Sequence, residues 1–479
     1  MALTRIILWL GNSFVICALL MAATAAWAFL ALDFSSATAI SVATLGVGGL
    51  GVILIATTFN TPAKETTADA LLFFLLFWVI MPIVMALPYL TMGVSPDFVS
   101  AYFEAVSAFT TTGASALNPD EVPKALLLWR SLVQWFGGVC VATFAVVILA
   151  ALNLSGTGIH RSMLFTLDKE ELFTRLISIG RFVAGVYAFL AGLCFMFLIL
   201  TGTNLFNALC LSLSGVSTGG LTPQSGALAS YVGRIGVFFL AIFTLMGAMN
   251  MAIIWDFFRL RRWKNFLSIF SNVESRALFV IFGALFLLGL AVVGIPHMYT
   301  LFIESLFFVS TSGFDYNVIG LEMVPSVVLI AVALIGGSAL STAGGLKIIR
   351  LLLLFRHLFT DLGRLTHPSR LIPVNFRGEH IPDRAFLSVW MYFFGYTLFF
   401  ALSILSLGAT GLGFEDAVVT GAASLSNMGP LLPATMPESG LTYADFSASQ
   451  KMISAITMLI GRVEVLAILI LFIPSFWQR

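Results

Sequence analysis

Apolar residues run along this chain in long blocks, with neither the alternation of a half-buried strand nor the narrow apolar face of a soluble helix. Ten blocks reach the roughly 20 residues that a helix needs to cross a hydrocarbon core: 6–32, 37–58, 69–91, 125–152, 180–202, 230–258, 277–296, 324–355, 386–409 and 450–475. Four further apolar runs, about 97–112, 204–219, 299–312 and 413–428, are too short and too interrupted to cross. The pattern predicts an all-α integral membrane protein. Two transmembrane helices lie in residues 1–66, and four units of span, pore loop and span follow in 67–160, 161–265, 266–375 and 376–479, arranged around a central pore.

Composition strengthens this picture. With 59% hydrophobic and 10% charged residues and a mean hydropathy of +1.02, the chain is far more apolar than a soluble domain. A net charge of +1 identifies no partner, and nucleic acid is not expected as one. The placement of charge is more informative. Arg161, Lys169, Arg175 and Arg181 form one basic group, Arg259, Arg261, Arg262, Lys264 and Arg276 a second, and Arg356, Arg364, Arg370, Arg377 and Arg384 a third. The positive-inside rule makes these three connections cytoplasmic. The short runs then dip in from the opposite face, where Asp97, Glu104, Asp120, Glu121, Glu304, Asp315, Glu322, Glu415, Asp416, Glu438 and Asp445 outnumber Lys124 and Lys451. Such a face either concentrates cations at a pore mouth or is simply solvated loop.

The first block carries Arg5 and the small residues Thr24 to Ala28. At about 27 residues it is too long for a signal peptide core, so it reads as a first helix. Cys17, Cys140, Cys194 and Cys210 sit in or beside apolar segments without ligand spacing and read as packing residues.

Each short run ends on one kind of motif: Phe109-Thr-Thr-Thr-Gly113, Val216-Ser-Thr-Gly-Gly220, Val309-Ser-Thr-Ser-Gly313 and Leu425-Ser-Asn-Met-Gly429, at intervals of 107, 93 and 116 residues. Four such loops meeting on one axis make an ion filter, because glycine admits backbone angles that turn carbonyls inward to replace a cation's hydration shell. A half-helix descending from outside also points its partially negative C-terminal end at the membrane centre, which favours a cation.

These residues resemble the filter sequences of the Trk, Ktr and HKT superfamily of potassium transporters. The two leading helices are similar to its bacterial TrkH branch, as are Gly336 to Arg350 and Leu459 to Glu464. The resemblance implies potassium-selective uptake across the bacterial cytoplasmic membrane. It implies ion binding at the carbonyls of Thr111, Thr112, Gly113, Thr218, Gly219, Gly220, Thr311, Ser312, Gly313, Asn427, Met428 and Gly429. Asn427 and Met428 depart from the Thr or Ser of the pattern, so the ring is not fourfold in chemistry. It further implies a homodimer embedded in membrane lipid, a cytosolic nucleotide-binding regulatory subunit of the TrkA type, and no covalently bound cofactor. An ion-coupled secondary transporter with broken helices is the alternative.

Two features stand apart from the motifs. Gly336, Gly337, Gly344 and Gly345, among Ser338, Ser341 and Thr342 and ahead of Lys347, should unwind the eighth span, since each glycine costs about 1 kcal/mol against alanine in a helix. The resemblance implies that this break is a gate below the filter; close helix packing is the other reading. Arg462, deep in the last span, is expensive enough to be functional by default. The resemblance places it on the pore wall, against the alternative of a buried ion pair. Gly46-Val-Gly48-Gly-Leu-Gly51 fits a dinucleotide fingerprint but lies inside an apolar span, so it reads as helix packing. No Walker loop, nucleophile elbow or histidine ligand set appears, and no enzyme is expected. Glu104 and Glu304 each precede a motif glycine by nine residues, and either brace the loops or face a vestibule.

Overall fold

A computed structural model describes residues 3–59, 67–151, 172–251, 272–317, 319–366, 375–376, 379–380, 383–436 and 440–463. Among these residues the architecture is helical, apart from a two-residue antiparallel ladder that pairs Asn375 with His380 and Phe376 with Glu379. Among the described residues seven helices are long and apolar enough to cross a membrane: Leu3–Leu30, Phe34–Thr58, Asp69–Thr91, Lys124–Val146, Leu176–Leu200, Val273–Val293 and Phe386–Ala409.

Of the remaining three expected spans, one is broken and two are described only in part. The sixth is helical over Arg234–Ala248, with 252–271 outside the described residues. The eighth breaks into Ser326–Ile335 and Ile348–Thr366 around the glycine-rich stretch. The tenth is helical over Ala448–Arg462, beyond which Glu464 and the end of the chain lie outside the described residues. The fifth begins earlier than the apolar pattern indicates, at Leu172, which draws Arg181 from a loop into the helix.

The leading helices, Leu3–Leu30 and Phe34–Thr58, form a hairpin capped by Asp33, whose carboxylate accepts from Ser36 N at 3.1 Å. They approach closely because Gly11 and Gly51 face each other: a Cβ on Gly51 would stand 2.9 Å from Gly11 O. Gly46 and Gly49 of the same glycine-rich stretch face open space. The first quarter's opening span bends after Pro82, and Trp129 Nε1 holds the bend by donating to Met85 O at 3.2 Å. Phe74, Phe77, Trp78, Phe109 and Phe144 pack around it, with Trp78 and Phe109 ring centroids 4.6 Å apart.

The four short runs are half-helices of 12 residues each: Phe98–Phe109, Leu205–Val216, Met298–Val309 and Phe414–Leu425. All are largely buried between the spans. Asp97 caps the first by accepting from Ser100 N at 2.6 Å, a bond that holds its carboxyl below the usual range. Asn204 caps the second. The fourth has no side-chain cap and instead places Glu415 and Asp416 in its first turn, where they complement the helix dipole.

Candidate filter and the loop beneath it

Each half-helix ends in the same way. A hydroxyl residue (Thr110, Ser217, Ser310 or Ser426) forms the C-cap, and the next residue turns left-handed, with φ of 52° at Thr111, 54° at Thr218, 60° at Thr311 and 51° at Asn427. The residue after that donates back five positions: Thr112 N to Ser107 O at 2.9 Å, Gly219 N to Ser214 O at 2.8 Å, Ser312 N to Phe307 O at 3.0 Å and Met428 N to Ala423 O at 2.9 Å. This is a Schellman ending, repeated four times. Glycine usually fills its left-handed position, yet three threonines do so here. Such strain persists only where the surroundings over-determine it.

The glycine comes two residues later. Gly113, Gly220 and Gly313 are also left-handed, with φ of 80°, 79° and 63°. Gly429 is not among the positive-φ residues and precedes Pro430. The fourth loop therefore keeps glycine for space alone.

Spatial order follows from what a Cβ at each glycine would strike. On Gly113 it would meet Gly219 O, and on Gly220 Ser312 O. On Gly313 it would stand 2.8 Å from Pro430 Cβ, and on Gly429 it would meet Ala114 N. The loops thus touch in the cycle first, second, third, fourth, first. The ring is closed. Gly429 N donates to Thr112 O at 2.6 Å, and Gln134 Nε2, fully buried on the first quarter's second span, donates to Gly219 O at 2.7 Å. The carbonyls of Thr111, Thr218, Thr311 and Asn427 accept no hydrogen bond among the described residues. An unpaired buried carbonyl is costly, and four on loops that close a ring are suited to a desolvated cation.

Outside the ring, Gly113, Gly220, Gly313 and Gly429 all line one vestibule of about 400 Å³, with Asp315 and Glu322 on its wall. Glu104 and Glu304, counted by sequence with the acidic outer face, are instead buried. Glu104 accepts from Ala116 N at 2.6 Å and from Ser115 Oγ, with Arg130 at 4.0 Å. Glu304 accepts from Tyr316 N, Asn317 N and Leu321 N. Both carboxylates hold the chain as it leaves a loop of the ring. The bracing role is the one the structure supports.

Inside the ring lies the broken span. Leu346 N bonds Leu334 O at 2.9 Å and Lys347 N bonds Ile335 O at 3.0 Å, so the intervening residues leave the helix axis and return to it. Gly336, Gly345 and Lys347 take left-handed angles to make that excursion. The loop docks on the end of Arg234–Ala248, whose last carbonyls lack helical partners: Thr342 Oγ1 donates to Gly247 O and Ser338 N to Ala248 O, both at 3.2 Å. Glu274 accepts from Ala339 N at 2.9 Å, and Lys347 Nζ donates to Ser341 O at 3.1 Å and to Ala343 O.

The loop also touches the glycine ring. Gly344 N donates to Thr311 Oγ1 at 2.9 Å, and Thr218 Oγ1 bonds Thr342 Oγ1 at 3.1 Å. A Cβ on Gly344 would strike Ser426 O. Arg462, 7% exposed, completes the contact: Nη1 donates to Thr342 O at 2.6 Å, while Nε and Nη2 donate to Thr110 O and Thr111 Oγ1. Its partners are carbonyls and a hydroxyl, with no carboxylate among the described residues. Arg462, Lys347, Gly344 and Gly345 border a cavity of only about 30 Å³, room for about one water.

The sequence-predicted residues therefore meet at two adjacent levels, the glycine ring and the loop under it. Sequence reasoning missed Gln134 and Glu274, and it named Thr111, Thr218 and Thr311 without their left-handed angle. Gln134 carried a signal, a lone amide in an apolar span; Glu274 carried none apart from lying at a span's start.

A multi-pass membrane chain with four half-helices closing one ring has the build of a cation transporter, and the family its sequence matches is one of cation transporters and not of enzymes. The TrkH family profile, described as cation transport protein, matches residues 51–479. The chain belongs to the TrkH family. It is 29% identical over 454 residues to the Trk system potassium uptake protein TrkH of Halomonas elongata, covering 90% of each chain. It is 30% identical over 434 residues to TrkG of Escherichia coli K12, covering 88% of each. The crystal structure of the potassium transporter TrkH from Vibrio parahaemolyticus matches with a TM-score of 0.88 at 27% identity over 100% of both chains. The protein is accordingly a multi-pass component of the bacterial inner membrane.

Proposed function

We propose that the chain takes up potassium through a single pore, with the glycine ring as its selectivity filter and Gly336 to Lys347 as its gate. Potassium is cargo, held by the carbonyls of the four loops. The reading is supported above all by the closed cycle of loop contacts and by the four loop carbonyls that accept no hydrogen bond among the described residues. It draws further support from relatives whose names describe potassium uptake. The units 67–160, 161–265, 266–375 and 376–479 are the four repeats of that pore, behind the leading helices of 1–66. Arg462 and the docked loop occlude the path from inside. Opening requires the loop to leave Thr311, Thr218 and the end of Arg234–Ala248. We assign that work to a cytosolic nucleotide-binding subunit of the TrkA type acting on a homodimer.

The test is flux from reconstituted protein with K+, Rb+, Na+ and Li+, with and without a proton or sodium gradient. K+ and Rb+ moving down their own gradients, well ahead of Na+ and Li+, is the expected result. Uphill K+ movement driven by a second ion's gradient would instead favour alternating access.

A further inference from the structure

We propose that a groove on the membrane face, formed by Leu3–Leu30, Thr67–Met85, Lys124–Ala151 and Leu172–Leu200, binds an anionic phospholipid of the inner leaflet, its acyl chain among aromatic rings and its phosphate on Arg181. The groove encloses about 360 Å³, and its walls include Trp9, Phe73, Phe77, Trp135, Phe136 and Phe144. All these residues lie within candidate spans, at and inward of the glycine ring, and Ile16 and Ile177 form an exposed apolar lip. A site of this size is typical of small-ligand cavities. What faces an opening at that depth is lipid.

The polar groups in the groove select the kind of lipid. Asn12 Nδ2 donates to Leu8 O, Ser13 Oγ to Trp9 O and Thr143 Oγ1 to Val139 O, so each is satisfied within its own helix. Arg181 is the exception: it lines the groove, is exposed, and makes no ion pair or hydrogen bond among the described residues. It lies inside the span Leu176–Leu200, where an unpaired charge is expensive. A basic side chain reaching toward the cytoplasmic surface is satisfied by a lipid phosphate, and more strongly by an anionic headgroup. One cation and an otherwise apolar wall match one charged head on an apolar tail.

The test is native mass spectrometry of the purified full chain with added dioleoyl phosphatidylglycerol or phosphatidylcholine. Wild type should retain phosphatidylglycerol about fivefold over phosphatidylcholine, the preference that one basic residue near the headgroups gives. Arg181→Gln should lose that preference, and Ala184→Trp, which fills the groove, should lose bound lipid of both kinds. An unchanged preference in Arg181→Gln overturns the proposal, and that exposed substitution decides the matter should Ala184→Trp fail to fold. So does wild-type lipid occupancy in Ala184→Trp, including the case where light scattering finds that a dimer has dissociated, which would make the groove an interface between copies.

Discussion

Asn427 Nδ2 donates to Thr112 Oγ1 at 3.1 Å, tying the last of the four loops to the first across 315 positions of sequence. The same amide donates to Met458 O at 2.8 Å on the final span. The loop with the poorest motif thus closes the ring. Its asparagine takes the left-handed angle more readily than threonine does, and supplies two donors where threonine has one.

Asn427→Gly isolates that role. Glycine keeps the backbone angle and removes both bonds, at a cost of roughly 1 kcal/mol each, offset by up to about 1 kcal/mol of relieved strain. The protein should lose only about 1 kcal/mol of stability while the K+ over Na+ permeability ratio falls. Reversal potentials in mixed salts check it; an unchanged ratio means that the amide does not hold the ring.

The motif glycines should differ in how badly they tolerate alanine. Gly113, Gly220 and Gly313 combine a left-handed angle, costing about 1 to 2 kcal/mol for alanine, with a collision across the ring. Gly429 suffers the collision alone. Gly113→Ala, Gly220→Ala and Gly313→Ala should abolish K+ selectivity, and Gly429→Ala should impair it less. Equal effects at all four positions would show that space, and not backbone angle, fixes the glycines.

Thr311 links the two levels, since its Oγ1 accepts from Gly344 N. Thr311→Val preserves shape and removes the acceptor, leaving a buried N–H unpaired at about 1 to 3 kcal/mol in the docked state only. At 1.4 kcal/mol per tenfold, the undocked loop should become roughly 5 to 150 times more populated. Basal K+ flux without a regulatory subunit should rise, with reversal potentials unchanged. Flux that stays at the wild-type level shows that this bond does not hold the gate.

How much of this was legible in the sequence depended on whether the signal was periodic or pairwise. The seven long spans, the half-helices and the break at Gly336 to Lys347 follow from apolar length and from glycine and appear close to where these put them, the fifth span's earlier start apart, while the ends of the sixth and tenth spans lie outside the described residues. The motif glycines pointed to the right loops but to the wrong residue for the first backbone inversion. Threonine at a Schellman position is unfavourable locally, so only the packing of four loops against one another reveals Thr111, Thr218 and Thr311 there. Gln134 and Gly219 lie 85 positions apart and Arg462 and Thr342 lie 120 apart. No local pattern reports such pairs. Glu104 and Glu304 looked like surface acids because a buried carboxylate satisfied by backbone N–H groups leaves no mark on neighbouring residues.

Arg462 can act as a fixed charge or as a latch, and the structure gives it the geometry of both. It borders the cavity under the ring, where a cation about 10 Å away would meet a repulsion of about 1.7 kcal/mol at an effective dielectric of 20, enough to slow passage more than tenfold. It also bridges Thr110 and Thr111 of the first loop to Thr342 in the break of the eighth span, with bonds from a charged donor worth about 1.5 to 3 kcal/mol each. Arg462→Ala removes both effects and should raise basal cation flux, while costing a few kcal/mol of thermal stability. Arg462→Lys separates them, because lysine keeps the charge but lacks the planar fork that reaches three acceptors. Flux near wild type in Arg462→Lys identifies the charge as the barrier, whereas flux approaching that of Arg462→Ala identifies the latch. The pore-facing assignment itself fails if Arg462→Ala unfolds the protein and flux per folded molecule does not rise.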